Sequence, residues 1–171
     1  MSTRLARQST IVTLSYIVVV WLAWLSPRSS AHAAGGPFGL GLIIGSPTGL
    51  SGKLYLNRQN AIDFAVGGAF LNSHGVHAHV DYLWHPVMLA TDEAFSLPLY
   101  FGVGGRLLSH DRGHDHDDDF HLGVRVPVGI VFDFKRVPID VFIEIALVVD
   151  LLVDHDSRVD LNGGAGVRYY F

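Results

Sequence analysis

Beyond residue 34 the chain alternates between apolar and small or polar positions, and the alternation restarts after each turn signal. The pattern predicts eight strands, near 37–45, 49–56, 61–71, 76–85, 96–108, 120–134, 139–152 and 157–171. In the sixth, Phe120, Leu122, Val124, Val126, Val128, Ile130, Phe132 and Phe134 share one face, and His121, Gly123, Arg125, Pro127, Gly129, Val131 and Asp133 share the other. The seventh sets Val141, Ile143, Ile145, Leu147, Val149 and Leu151 against Asp140, Phe142, Glu144, Ala146, Val148 and Asp150. The eighth sets Val159, Leu161, Val167, Tyr169 and Phe171 against Arg158, Asp160, Asn162, Gly164, Gly166 and Arg168. The fold class expected is all-β, an eight-stranded antiparallel up-and-down barrel.

Alternation alone leaves open which face is inside. Two features choose. Large apolar residues lie on one face, whereas Gly102, Gly104, Gly123, Gly129, Gly164 and Gly166 lie on the charged one, where a narrow eight-stranded interior crowds the wall. The charged face is also mixed in sign, with Lys53, Arg106, Arg125 and Arg168 against Asp63, Asp81, Asp140 and Glu144. An enclosed interior allows such charges to pair, which removes most of the cost of burying them. The expectation is a transmembrane barrel with an apolar exterior toward lipid and an interior charge network of those eight residues.

Composition narrows the class further. Of 171 residues 49% are hydrophobic and none is Cys, which excludes disorder, a disulfide framework and thiolate chemistry. The net charge of −4 offers no basic field, so nucleic-acid binding is excluded. Arg4 and Arg7 precede an uncharged, mostly apolar run over 11–25, then Ser26, Pro27 and Ser29-Ser30-Ala31-His32-Ala33-Ala34. That order is a secretory signal peptide cleaved after Ala33, and the run is too short for a membrane span of about 20 residues. The expected division is a signal peptide over 1–33 and a barrel domain over 34–171. Removing the leader takes three arginines and no acid, which leaves nine bases against 16 acids, a net of −7.

Connection lengths predict an orientation. With the N-terminus periplasmic, the short connections Asn57-Arg58-Gln59-Asn60 and Lys135-Arg136-Val137-Pro138 are periplasmic turns, whereas the connection from Pro86 to Phe95 is long for that side. Phe38, Trp84, Phe132, Phe134, Tyr169 and Phe171 gather at the same rim as an interfacial girdle.

The ending Gly163-Gly164-Ala165-Gly166-Val167-Arg168-Tyr169-Tyr170-Phe171 resembles the C-terminal targeting strand of bacterial outer-membrane barrels, with Val167, Tyr169 and Phe171 as its assembly signal. Over its mature length the chain is similar to the small OmpA-like and OmpX-like barrels, and particularly to an uncharacterised family of outer-membrane barrel domains. The segments 47–53, 97–102 and 123–129 also look like that family. The resemblance implies insertion by the outer-membrane barrel assembly machinery, outer-membrane lipids as surroundings and a Gram-negative-type bacterium as source. It brings no defined activity.

Residues with reactive or ligating side chains gather at the other end. His74, His77, His79, His110, His114, His116, His121 and His155 fall in or near the inferred outer loops, and His85 does not. The loop Ser109-His110-Asp111-Arg112-Gly113-His114-Asp115-His116-Asp117-Asp118-Asp119 and the segment Asp154-His155-Asp156 combine imidazole with carboxylate. His110, His114, Asp115, His116 and His155 are therefore candidate ligands for a divalent metal, although their spacing fits no defined motif. Clustered histidines beside fixed carboxylates also suit a pH-responsive loop. Ser109-His110-Asp111 and Ser73-His74 supply the residue types of a lipid A-modifying enzyme, but adjacency in sequence is not triad geometry. A wide pore is excluded by the filled interior of an eight-stranded barrel. The expected function is a monomeric, non-enzymatic outer-membrane barrel without cofactor, structural or adhesive, whose loops meet an extracellular ligand or metal ion. Surface metal binding and lipid A modification are the alternatives.

Overall fold

The computed structural model describes residues 35–69, 72–110, 119–151 and 158–171. Eight strands follow in chain order: β1 (Phe38–Gly45), β2 (Thr48–Tyr55), β3 (Asn60–Ala69), β4 (Asn72–Thr91), β5 (Phe95–His110), β6 (Asp119–Phe134), β7 (Ile139–Leu151) and β8 (Arg158–Tyr170). Each pairs antiparallel with the next, and β8 pairs with β1 from Gly39↔Tyr170 to Gly45↔Gly164, which closes the barrel. Closure leaves no sheet edge. The expected leader over 1–33 lies outside the described residues.

Alternation becomes an inside and an outside. On β7, Asp140, Phe142, Glu144, Ala146, Val148 and Asp150 are buried in the interior, whereas Val141, Ile143, Ile145 and Leu147 are exposed outside. The exterior of every strand is apolar, with Leu42, Leu50, Val66, Val80, Val103, Val126, Ile143 and Leu161 all exposed.

Three tight turns share one end with Gly35 and Phe171, here the termini end. Asn57 Oδ1 accepts from the backbone N–H of Gln59 and of Asn60, both at 2.9 Å, an Asx-type closure of the β2–β3 turn. Val137 O accepts from the N–H of Ile139 in the β6–β7 turn. The β4–β5 turn is a finding against expectation. The connection expected over Pro86 to Phe95 is mostly strand, because β4 continues to Thr91 and leaves only Asp92-Glu93-Ala94 between the strands. Pro86 suggests a break because it lacks a ladder donor, but it sits at a register shift between Trp84 and Val87, where no donor is needed. Asp92 N–H donates to Phe95 O at 2.9 Å, and the Lys135 ammonium caps the turn through Thr91 Oγ1 and the Asp92 carbonyl.

At the opposite, loop end, β1 and β2 are joined only by Ser46-Pro47. Gly45 takes φ +136° there, a backbone conformation that side chains disfavour, and exchanges two hydrogen bonds with Thr48 Oγ1.

Interior glycines hold space for rings. The Tyr100 ring lies over Gly129 and the Phe142 ring over Gly166, where a Cβ would be. Gly129→Ala is therefore expected to cost about 1–3 kcal/mol through overpacking. Gly105→Ala, on the exterior with its nearest neighbour atom 3.9 Å away, is expected to be neutral or stabilising by up to about 1 kcal/mol. Urea unfolding of the refolded variants checks both, and equal losses would refute ring-over-glycine packing as the cause.

Candidate functional site

The interior is a column of ionic groups. Lys53, Asp63, Asp81, Arg106, Arg125, Asp140, Glu144 and Arg168 all point inward and are buried. Their tiers follow from strand position, since Asp140 opens β7, Glu144 lies at its middle and Asp150 near its loop end. At each tier one guanidinium bridges two carboxylates on different strands.

Near the termini end, Arg168 donates through Nε and Nη2 to both oxygens of Asp140, at 3.0 and 3.2 Å, and through Nη1 to Asp63 at 3.0 Å. Its guanidinium also stacks 4.0 Å from the Phe142 ring centroid. In the middle, Arg125 donates through Nη1 to Asp81 and through Nη2 to Glu144, while the Tyr100 hydroxyl donates to the other Glu144 oxygen at 2.8 Å. Near the loop end, Arg106 reaches Asp150, Asp160 at 2.9 Å and Asn162 at 3.2 Å.

Lys53 sits apart from these bridges, in an aromatic box. Its ammonium lies 2.9 Å from His85 Nε2 and 4.7 and 5.0 Å from the Tyr55 and Tyr100 ring centroids. Tyr170 completes this floor by donating to Asp140 at 2.6 Å. Strand register explains the like-charged pair Asp63↔Asp81, which face each other across β3 and β4, because each turns to a different arginine.

His77 and His79, expected in or near the outer loops and within the strand over 76–85, are buried interior side chains of β4 toward its loop end. Their odd numbering, shared with Asp81, is the signal that places them. His77 Nδ1 is 3.4 Å from Ser46 Oγ, and the His77 and His79 rings meet edge to face at 5.6 Å. His77 Nε2, His79 Nδ1 and Asp81 Oδ1 are buried with no hydrogen-bond partner among the described residues. One nitrogen of His79 and one oxygen each of Asp81 and Glu144 lie within 4.8 Å of one another, a donor set able to hold a cation.

Of the expected loop ligands, His114, Asp115, His116 and His155 lie outside the described residues. So does the His110 side chain, although its backbone ends β5. Val167, Tyr169 and Phe171 are brought together as one exterior row at the closing strand, with the Tyr169 and Phe171 rings 5.1 Å apart. Asp150, Asp160, Asn162, Tyr100, Tyr170 and His85 join the interior network without having been singled out from the sequence. Asp150, Asp160 and Asn162 carry the inward parity of β7 and β8, and that parity is the signal for them.

Comparisons with protein-family models, with curated proteins and with solved structures return no match.

Proposed function

We propose that the chain is an integral outer-membrane β-barrel of a Gram-negative-type bacterium, a structural or surface-interaction protein rather than an enzyme. The observation that carries this reading is the inversion of the usual globular plan, with an apolar exterior all round and paired charges within. Soluble monomers rarely expose apolar patches beyond a few hundred Å², whereas a bilayer requires such a surface and requires every backbone group of the span to be paired. β3 to β8 run 10 to 20 residues each, against about 9–11 needed to cross a hydrocarbon core with tilt.

Exterior aromatics at the termini end, exposed except for the half-buried Phe95, support an interfacial girdle. Phe38 stacks near Phe171 at 6.5 Å, Trp84 meets Phe101 at 5.0 Å, and Phe95 lies 6.2 Å from Phe132. The three short turns at that end fit the periplasmic side, and the segments 111–118 and 152–157 then belong to the cell surface. Val167, Tyr169 and Phe171 serve as the signal read by the barrel assembly machinery. Outer-membrane lipids are the surroundings, and the acidic, His-rich loops meet an extracellular ligand or metal ion.

Fractionation with surface proteolysis tests this. The protein is expected in outer membranes after urea washing, with cleavage in the segment 111–118 of intact cells. A soluble periplasmic protein would overturn the class, and loop protection in intact cells would overturn the orientation.

A further inference from the structure

We propose that the middle tier of the interior is a divalent metal site formed by His79, Asp81 and Glu144. Three observations converge there. One donor atom from each residue lies within 4.8 Å of the others, and all three side chains are buried. His79 faces Asp81 through Nε2, 3.8 Å from Oδ2, and Asp81 Oδ1 is buried with no hydrogen-bond partner among the described residues, an expensive state that a bound cation relieves.

The third observation is the charge ledger. The carboxylates bridged by the three arginines are six: Asp63, Asp140, Asp81, Glu144, Asp150 and Asp160. Asp160 is half exposed at the loop end and adds nothing to the middle tier, where Asp81 and Glu144 face Arg125 and leave one negative charge that favours a cation.

Arg125 does not preclude the ion. It uses one oxygen of Asp81 and one of Glu144, and Tyr100 uses the second Glu144 oxygen. Ionised carboxylates offer about four lone-pair sites each, so Arg125 and Tyr100 become the outer partners that orient the ligating oxygens. Bonds of roughly 2.1 Å bring tetrahedral donors to about 3.4 Å apart, a closure of up to about 1.4 Å from the 4.8 Å within which they lie. One imidazole and two carboxylates suit Zn²⁺ and its first-row neighbours, and leave coordination positions open for water.

The test is Zn²⁺ titration of the refolded full chain by calorimetry, with heat-modifiable gel mobility as the folding check. One Zn²⁺ is expected per chain, and His79→Leu is expected to weaken it about 100-fold. Replacing His110, His114 and His116 together by Asn is expected to leave that site unchanged. His79→Gln, which keeps the bulk and polarity of the side chain, answers the same question if the Leu variant fails to fold. Co²⁺ substituted for Zn²⁺ should show a single-imidazole spectrum that His79→Gln abolishes. No Zn²⁺ uptake, uptake unaffected at His79, or uptake lost with the loop histidines would each overturn the site.

Discussion

Arg125→Met is expected to destabilise the barrel by about 3–5 kcal/mol, the cost of leaving buried charges without their partner. The side chain is only 2% exposed, and its two terminal nitrogens serve Asp81 and Glu144 on different strands. Removing it leaves two carboxylates near each other, neither able to reach water. Met preserves most of the volume, so the loss reports charge rather than cavity. Neutralising the partners in the same chain, with Asp81→Asn and Glu144→Gln, is expected to recover most of that loss, since replacing a whole buried ionic group is often close to neutral. Glu144→Leu alone is expected to fall between, because Arg125 keeps Asp81. Urea midpoints and heat-modifiable mobility of the refolded variants measure all three. A loss below about 1 kcal/mol for Arg125→Met would mean that the interior is wet enough to screen its charges.

The second large effect lies on the opposite face. Ile145, at the middle of β7, is 58% exposed on the barrel exterior. Ile145→Arg is expected to cost about 2–4 kcal/mol in a bilayer, and Leu151→Arg, at the loop end of the same strand, about 0–1 kcal/mol. The two positions are almost equally exposed, at 58% and 59%, so burial within the protein cannot separate them. Only a surrounding medium whose polarity changes with depth can. Were both substitutions to change the folding free energy in liposomes by less than about 0.5 kcal/mol, the exterior would be facing water.

The architecture was legible in the sequence because one strand period dominates it. Along β6 the inward set Gly123, Arg125, Pro127, Gly129 and Val131 and the outward set Leu122, Val124, Val126 and Val128 follow strict parity. Legibility failed where parity is interrupted. In β4 the shifts after Trp84 and Met88 leave Val87, Met88 and Leu89 all exposed, so the segment reads as irregular although its backbone remains paired with β5.

The interior charges were legible as a set but not as partners. Arg168 bonds Asp63 across 105 positions, a juxtaposition created by strand tilt and stagger around the closed barrel rather than by any local spacing. His77 and His79 were obscured by a different effect. A histidine-rich stretch at a predicted strand start looks like a loop by composition, although the inward parity it shares with Asp81 makes its odd positions interior. The His79, Asp81 and Glu144 group joins a β4 dipeptide alternation to a single residue of β7, so no motif search along the chain could meet it.

The seam between β1 and β8 has a kinetic consequence. Gly39 must find Tyr170 and Gly45 must find Gly164, pairings that span nearly all the described chain. Such non-local pairing is the slowest kind to form, because the entropy of closing the intervening loop is lost before the contacts repay it. Until it forms, β1 and β8 both present unsatisfied amides and carbonyls, which hydrocarbon penalises heavily. If the barrel spans a membrane as proposed, an open sheet has no resting place there, and insertion and closure are expected as one cooperative event that ends with the pairing of β1 and β8.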